Sequence, residues 1–264
     1  APRLKLLIIP FTGTAHLDLD LYASRGIMVA NAPGNGPIVA ERAVALAMAA
    51  CGRIVEFHND MGKGNWHRTG NPHEPFDYWY SMLGCNVSIL GTGDIGRGIA
   101  KLLQGFGCTV LGFRRSSEVP EYFSAVTDNL TEALSFGDIV FVALPESPET
   151  KQLIHAGNIG LLSRSVLINV GRSDVIEEQA LYDSLTAPDG LRGAGLDVWY
   201  LYPSREHPEA TGSRLPFHTL RNVVMSPHAG SHAPEGKRGQ LEGVVRALSS
   251  YLETGVPVTL VPQR

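Results

Sequence analysis

The sequence predicts an α/β fold built on a doubly wound parallel sheet of the Rossmann type. Short, continuously apolar runs alternate with helical patterns along the chain, as expected of strands that are covered on both faces. Their spacing gives strand–helix–strand units, which pair in parallel through right-handed crossovers. One such strand enters its helix through the glycine-rich turn Gly91-x-Gly93-x-x-Gly96. These three observations point to a nucleotide-binding sheet.

The first strand is expected at the apolar run Leu6–Ile9, which stops at Pro10 and is too short to span a membrane. A short helix follows it before residue 31. The remaining strands are expected at 87–91, 108–113, 138–144, 165–171, 191–198 and 222–227. Helices are expected between them at 95–104, 131–136 and 176–186.

Two longer helices are expected on either side of this block. The first covers 39–61 and is apolar around most of its circumference between Ala43 and Cys51, so it has to be buried within a domain or across a subunit interface. The second covers 234–255, with proline near its start and glycine just past its end.

Composition narrows the range of functions. The 264 residues carry a formal net charge of −4 without a block of like charge, which argues against nucleic acid as a partner. No apolar run predicts a membrane span. The three cysteines are scattered and form no CxxC pair, which favours a reducing, cytoplasmic location and neither a disulfide framework nor a zinc site.

The turn at 91–98 predicts a dinucleotide site, although glycine-rich turns are common in a chain with 29 glycines. Gly91 would permit the tight turn, Gly93 would let a pyrophosphate approach the backbone, and Gly96 would let helix and strand pack closely. The phosphates would lie at the positive N-terminus of the helix.

The end of the second strand of this unit bears on the choice of cofactor. An acidic residue there would bind the adenosine ribose hydroxyls, but the sequence reads Arg114-Arg115-Ser116-Ser117 and has no acid before Glu118. A guanidinium group can pair with a 2′-phosphate. The sequence therefore favours NADP(H), with NAD(H) as the alternative, unless the arginine pair is simply solvated.

Three polar residues fall at the carboxyl ends of predicted strands, where ligands bind in open parallel sheets. Arg172 could clamp a carboxylate, Asp197 follows a buried run, and His228 could exchange a proton near neutral pH. Each alone could be structural. His228 and His232 are four residues apart, but no acidic or cysteine ligand is near them, so no metal site is predicted.

At this point the sequence resembles the D-isomer-specific 2-hydroxyacid dehydrogenases, a family that includes phosphoglycerate, glyoxylate and formate dehydrogenases or reductases. The resemblance extends over nearly the whole chain, in family order and spacing. The segments that carry it are "NAPGNGPIVAE" (31–41), "GTGDIGRG" (91–98), "LPESPETKQLI" (144–154), "NVGRSDVIEEQAL" (169–181), "GAGLDVW" (193–199) and "SPHAGSH" (226–232).

The resemblance implies roles for individual residues. Arg172 would hold the substrate carboxylate, His228 would exchange a proton with the oxygen at C2, and Asp197 would orient the nicotinamide carboxamide. The residues expected to contact the cofactor are Gly91, Thr92, Gly93, Asp94, Ile95, Gly96, Arg114, Arg115, Ser116, Leu144, Pro145, Val170, Gly171, Asp197 and Gly230. Those expected to contact the small 2-oxo or 2-hydroxy acid are Thr12, Gly13, Thr14 and Asn35.

The family architecture implies a coenzyme domain over 31–229 and a flavodoxin-like substrate domain from 1–30 and 230–264. The substrate domain is expected to be incomplete, because family members have further βα units before the equivalent of residue 4. The helix at 39–61 would form a homodimer interface through the coenzyme domain.

The sequence departs from the family at one catalytic position. Typical members have a glutamate five residues after the aspartate of "GLDV", where it pairs with the catalytic histidine and raises its pKa. Here that position is Tyr202, which we retain as a catalytic candidate of undefined role. Glu206 or Glu209 could substitute for the missing acid. Other departures are Ser173, usually glycine, and Ala15, usually aspartate.

Two alternative functions stay open. Formate dehydrogenases lack the same glutamate and carry an asparagine at the position of Asn35, although Thr12 replaces the isoleucine that lines their pocket. A dinucleotide-sensing protein without turnover is the second alternative, which the intact pair of Arg172 and His228 disfavours.

Overall fold

The computed structural model describes residues 3–14, 17–66, 78–205, 208, 210 and 212–262. The chain divides into two compact units. One combines Ala1–Ile38 with Ser231–Arg264, and the other is Val39–Gly230. These divisions lie after residues 38 and 230, whereas the sequence placed them after residues 30 and 229. The substrate and coenzyme roles of the two units stay predictions.

The smaller unit contains a two-stranded parallel sheet of β1 (Leu6–Ile9) and β2 (Met28–Asn31), joined through helix α1 (Leu19–Ser24). The long helix α7 (Pro234–Thr254) packs against both strands. The expectation of one strand before residue 31 is wrong, because the four residues of β2 also pair with β1. A strand of four residues is too short to show a clear hydrophobic pattern in the sequence.

The larger unit is a seven-stranded sheet in which every pair of neighbouring strands is parallel. Its strand order is β5-β4-β3-β6-β7-β8-β9. The strands are β3 (Asn86–Leu90), β4 (Thr109–Phe113), β5 (Ala125–Thr127), β6 (Ile139–Val142), β7 (Val166–Asn169), β8 (Gly193–Leu196) and β9 (Val223–Met225). The helices are α2 (Gly36–Cys51), α3 (Ile54–Gly62), α4 (Asp94–Leu103), α5 (Leu130–Phe136) and α6 (Glu178–Thr186).

The sheet is buried on both faces, as its continuous apolar strands predicted. In β6, Ile139 and Phe141 pack with residues of α2 and α4 on one face. Val140 and Val142 pack with residues of α5 and α6 on the other face. Successive side chains of a strand point to opposite faces, so each face needs its own apolar set. The predicted doubly wound Rossmann-type fold is therefore confirmed.

The prediction of one helix over 39–61 is wrong, because α2 and α3 are separate helices. The break lies at Gly52 and Arg53, where Arg53 has a left-handed backbone with φ of 51°. Its guanidinium is bonded in a two-pronged way to the Glu56 carboxylate at 2.7 and 2.8 Å, in the first turn of α3. The ion pair holds the chain in the conformation that ends one helix and begins the next.

The strand β9, which leads to His228, is anchored at its start to α3. Arg221 donates to Glu56 at 2.9 Å and also to the buried carboxylate of Asp60. Burial alone would raise the pKa of Glu56, but hydrogen bonds from Arg53 and Arg221 outweigh burial and lower it. Within the described residues, none of the helices is long and apolar enough to cross a membrane.

Candidate active site

Loops at one edge of the large sheet carry most of the predicted site residues. Gly91 follows β3, Leu144 follows β6, Arg172 follows β7, Asp197 follows β8 and His228 follows β9. Because all the strands are parallel, their carboxyl ends lie at the same edge. The chain changes direction between β3 and β6, which is the switch point where open sheets of this kind bind ligands.

The three positions of the turn after β3 carry glycine for different structural reasons. Gly91 has φ of 100°, a conformation that disfavours other residues. A methyl group at Gly96 would lie 2.0 Å from the carbonyl oxygen of Gly91, so helix and strand could not approach as they do. A methyl group at Gly93 would meet no atom within 4 Å. Packing therefore requires Gly91 and Gly96, whereas Gly93 leaves open space beside the backbone.

That space lies at the N-terminus of α4, which begins at Asp94. The N-cap residue before it is Gly93, which has no side chain that could cap the helix. Asp94 is instead bonded to Arg97 at 2.6 Å, so its charge is partly neutralised. The first-turn N–H groups of Asp94, Ile95 and Gly96 and the positive helix end suit an anion such as a pyrophosphate. Thr92 precedes the helix and contacts Gly112 of β4.

The loops after β6 and β7 are in close contact beside this turn. A methyl group at Gly171 would lie 2.5 Å from the carbonyl oxygen of Leu144. Gly91 approaches the same loop, since a methyl group there would lie 2.9 Å from the carbonyl oxygen of Ala143. Leu144 and Pro145 on one loop and Val170 and Gly171 on the other are thus held next to the glycine turn. These residues fit the dinucleotide that the sequence predicts.

The arginine segment after β4 turns back on itself. Arg114 donates from its guanidinium to the carbonyl oxygen of Glu118 at 2.9 Å. The Ser116 hydroxyl accepts a hydrogen bond from the Glu118 N–H at 3.3 Å. Arg115 and Ser116 are exposed. The turn keeps Arg114 and Arg115 beyond the carboxyl end of β4.

The turn that carries Arg172 is fixed by two side chains. Asn169 accepts from the N–H of Gly171 at 3.1 Å and donates to the carbonyl oxygen of Arg172 at 3.0 Å. Ser173 donates to the carbonyl oxygen of Trp199 at 2.7 Å, which ties the turn to the loop after β8. The serine in place of the family's glycine therefore joins two site loops.

Asp197 is buried, with 2% of its surface exposed, and its carboxylate is bonded to the segment around His228. One oxygen accepts from the Ser226 hydroxyl at 2.5 Å and from the N–H of Ala229 at 2.9 Å. The other oxygen accepts from the N–H of Gly230 at 2.9 Å. The sequence suggested a nicotinamide contact for Asp197, but it did not indicate this second task of holding the histidine segment.

Ser226 completes the support of that segment. Its hydroxyl accepts from the Arg42 guanidinium at 2.9 Å, and its carbonyl oxygen accepts from the Trp199 indole at 2.7 Å and from the N–H of His228 at 3.0 Å. Sequence reasoning missed both Arg42 and Ser226. Arg42 lies 184 residues from Ser226, so no local pattern could pair them.

Tyr202 contacts His228 directly. The phenol oxygen lies 2.8 Å from Nδ1 of the imidazole, and the two rings are 5.4 Å apart at 48°. Burial raises the pKa of the Tyr202 hydroxyl, although a hydrogen bond from Trp199 and the charge of Arg172 lower it in part. Ser173, which follows Arg172, donates to the carbonyl oxygen of Trp199, and the N–H of Trp199 donates to the Tyr202 hydroxyl at 3.2 Å, so hydrogen bonds link the Arg172 turn to the Tyr202–His228 pair.

The remaining predicted residues lie elsewhere in the chain. Three of them accept hydrogen bonds through their backbone carbonyl oxygens. That of Thr12 accepts from the Asn31 side chain at 3.0 Å, that of Thr14 from the N–H of Leu17 at 3.0 Å, and that of Asn35 from the N–H of Ile38 at 3.1 Å. All belong to the smaller unit, together with Gly13. Ala15, Glu206 and Glu209 lie outside the described residues. Within those residues, no group of three or more His, Cys, Asp or Glu could hold a metal ion.

Comparison with known proteins agrees with the geometry. Residues 44–230 match the family model "D-isomer specific 2-hydroxyacid dehydrogenase, NAD binding domain". A glyoxylate reductase of Thermococcus kodakarensis is 31% identical over 99% of this chain and 77% of its own length. A D-3-phosphoglycerate dehydrogenase of Methanocaldococcus jannaschii is 27% identical over 90% of this chain and 44% of its own length.

Solved structures of oxidoreductases are also similar to this chain. An NADPH-dependent glyoxylate/hydroxypyruvate reductase of Sinorhizobium meliloti, in complex with NADP and malonate, has a TM-score of 0.81 and 26% identity, covering 99% of this chain and 79% of that one. An acyclic imino acid reductase in complex with NADPH and D-Arg has a TM-score of 0.85 and 27% identity, covering 98% and 79%. The chain belongs to the D-isomer-specific 2-hydroxyacid dehydrogenase family, and it is an NAD(P)-dependent oxidoreductase that acts on CH–OH groups.

Proposed function

We propose that this enzyme reduces a small 2-oxo acid, such as glyoxylate or hydroxypyruvate, with NADPH, and catalyses the reverse oxidation. The observation that carries the proposal is the hydrogen bond between Tyr202 and Nδ1 of His228, beyond the carboxyl ends of strands that also hold the glycine turn and the turn of Arg172. A fixed positive charge and a proton donor are the two groups that a 2-oxo carboxylate requires.

In this proposal, Arg172 pairs its guanidinium with the substrate carboxylate and presents C2 to the cofactor. The cofactor, when bound, supplies the hydride. His228 gives a proton to the oxygen at C2, which would otherwise develop a negative charge. Asp197 and Ser226 hold the histidine segment in place. Contacts from Thr12, Gly13, Thr14 and Asn35 to the substrate stay predictions.

The N-terminal turn of α4 would hold the pyrophosphate through the N–H groups of Asp94, Ile95 and Gly96, with Gly93 leaving room for it. Leu144, Pro145, Val170 and Gly171 would line the path toward the nicotinamide. Arg114, Arg115 and Ser116 would meet the 2′-phosphate. The preference for NADPH over NADH rests on these three residues.

The reaction is tested by steady-state reduction of glyoxylate and hydroxypyruvate with NADPH. Formate with NADP⁺ is the arm that tests the formate alternative. A 2-oxo acid with added ammonium tests imine reduction, because one structural neighbour is an imino acid reductase. Turnover of a 2-oxo acid without ammonium supports the proposal. Tight NADPH binding with no turnover on any acid would favour the sensing alternative.

Arg114→Ala is expected to lower kcat/KM for NADPH by about 10- to 100-fold, because a charge-assisted hydrogen bond contributes about 1.5–3 kcal/mol. The value for NADH should stay unchanged. Arg164→Ala is the matched control, since Arg164 is an exposed arginine paired with Asp189 in the loop before β7, away from the carboxyl ends. An equal loss with both cofactors, or a wild-type preference for NADH, would contradict the NADP assignment.

We further propose a homodimer formed through the larger unit. Large apolar side chains are exposed on α2, on α3 and on the segment before β3, among them Met48, Ile54, Val55, Trp79 and Leu83. Monomers rarely expose so many large apolar groups on neighbouring elements.

Sedimentation velocity is expected to give a dimer for the wild type and a monomer for Ile54→Glu. The introduced charge would have to be buried without a partner in the dimer. Leu102→Glu, which places the same charge on an exposed site of α4, should leave the dimer intact. A wild-type monomer at micromolar concentration, or dissociation by both variants alike, would refute the interface.

A further inference from the structure

Arg42 belongs to helix α2, yet its side chain is bonded to the segment 226–230, which contains His228. Its guanidinium donates to the Ser226 hydroxyl at 2.9 Å. Val39 and Leu46 lie beside Arg42 on the same side of the helix, and both are buried in the core. Packing therefore holds the backbone that carries Arg42. Among the described residues, the guanidinium makes no other hydrogen bond or ion pair.

The Ser226 hydroxyl joins Arg42 to the carboxylate of Asp197. A carboxylate can only accept and a guanidinium can only donate, so the chemistry of the two end groups fixes the direction of both hydrogen bonds. The hydroxyl gives its single proton to Asp197 at 2.5 Å, and its oxygen accepts from Arg42. Asp197 is buried, and a buried charge is costly unless it is paired and hydrogen-bonded. Arg42 supplies a positive charge that is one hydroxyl away from this carboxylate.

The Asp197 carboxylate holds the backbone on both sides of His228. It accepts from the Ser226 hydroxyl before the histidine, and from the N–H groups of Ala229 and Gly230 after it. A methyl group at Gly230 would lie 2.8 Å from an oxygen of the carboxylate, so the two are in close contact. His228 has a left-handed backbone, which a residue with a Cβ atom keeps only where its surroundings enforce it. The placement of the imidazole thus depends on Asp197 staying in position.

We propose that Arg42 is a positioning residue for His228. It fixes the Ser226 hydroxyl and, through this hydroxyl, the Asp197 carboxylate and the backbone that carries the imidazole. All of these residues belong to the larger unit. The proposal rests on the proposed function, in which His228 gives a proton to the oxygen at C2.

The expected effect of losing Arg42 is on kcat rather than on KM. None of the residues predicted to contact the substrate or the cofactor is bonded to the guanidinium of Arg42. Its removal would leave those contacts in place but would let the backbone of His228 move. A displacement of about 1 Å at a reacting group can cost about 10²-fold in rate. Arg42 acts through two further groups, so a smaller loss than this is expected.

The first test is steady-state reduction of glyoxylate with NADPH by the wild type and Arg42→Met. Methionine has a long side chain but carries no charge and donates no hydrogen bond. The kcat of Arg42→Met is expected to fall by about 10-fold, with KM for glyoxylate and for NADPH unchanged. Arg164→Met removes an exposed arginine paired with Asp189 and is the matched control, which should behave like the wild type. A wild-type kcat in Arg42→Met, or a loss confined to KM, would overturn the proposal.

The route through Ser226 is tested with Ser226→Ala and the double variant Arg42→Met/Ser226→Ala. If Arg42 acts through the hydroxyl, its removal from a protein that already lacks the hydroxyl should cost nothing further. The double variant should therefore have the kcat of Ser226→Ala. Losses that multiply as independent effects would refute this route. Circular dichroism of each variant, measured during heating, verifies that the assays are made on folded protein.

The last test does not depend on turnover. Hydrogen exchange of the Ala229 and Gly230 N–H groups, followed by NMR, reports whether the carboxylate still holds this segment. Exchange in Arg42→Met should be about 10-fold faster than in the wild type, as expected when a charge-assisted hydrogen bond no longer supports the carboxylate. Arg164→Met should exchange at the wild-type rate. Unchanged exchange in Arg42→Met would overturn the proposal, whereas faster exchange in a protein whose wild type reduces no 2-oxo acid would refute the proposed function alone.

Discussion

Replacing His228 with alanine is expected to lower kcat/KM for 2-oxo acid reduction by about 10²- to 10⁴-fold, the usual contribution of a positioned general acid. The loss should appear mainly in kcat, because the oxygen at C2 would have to take its proton from water. Binding of NADPH, followed by its fluorescence, should be little changed, since the predicted cofactor residues other than Gly230 lie on other loops.

The matched control is His218→Ala. His218 lies in the short 3₁₀-helix Phe217–Thr219, before β9 rather than after it, and it should leave turnover intact. An activity of His228→Ala within a few-fold of the wild type would contradict the proton-transfer role. The same would follow if both histidine variants lost activity equally, because a general loss of folding would then explain the result.

Replacing Arg172 with alanine is expected to lower kcat/KM for glyoxylate by about 10²- to 10³-fold, since a two-pronged charge-assisted pair with the carboxylate would be lost. A rise in KM should account for much of this loss. Arg172→Ala also removes the hydrogen bond from the guanidinium to the carbonyl oxygen of Gly171 at 2.8 Å. The Asn169 and Ser173 hydrogen bonds that fix the turn do not involve the Arg172 side chain, so they should keep the conformation of the loop.

Arg172→Lys separates charge from geometry. Lysine retains the positive charge but lacks the planar fork, so its kcat/KM should lie between those of the wild type and Arg172→Ala. Inhibition by oxamate, a carboxylate that resembles a 2-oxo acid, should weaken in the same order. Unchanged oxamate inhibition in Arg172→Ala would show that the carboxylate is bound by another group.

The sequence predicted the large sheet well because both faces of its strands are buried. A strand such as β6 then reads as one apolar run, and the glycine turn marks the point where β3 enters α4. A break between two helices was predicted poorly, because it depends on the backbone conformation of a single residue. The separation of α2 from α3 needs the left-handed backbone of Arg53, which nothing in the apolar pattern indicates.

For the candidate site, the sequence predicted which residue follows each strand of the large sheet. Arg172, Asp197 and His228 do follow the strands β7, β8 and β9, and their roles in the reaction stay predictions. Their supports were not found, because they join distant parts of the chain. Arg42 and Ser226 have no local signature, and the bond of Tyr202 to Nδ1 depends on the relative placement of two loops 26 residues apart.

His228 has a left-handed backbone, with φ of 56°, although it is not a glycine. Such a conformation costs about 1–3 kcal/mol for a residue with a Cβ atom. Asp197 and Ser226 hold the segment in it through hydrogen bonds to both sides of the histidine. Folding alone would therefore favour glycine at position 228. Under the proposed function, the histidine marks a place where the chain gives up thermodynamic stability for reactivity, so selection for a more stable protein at this position would act against catalysis.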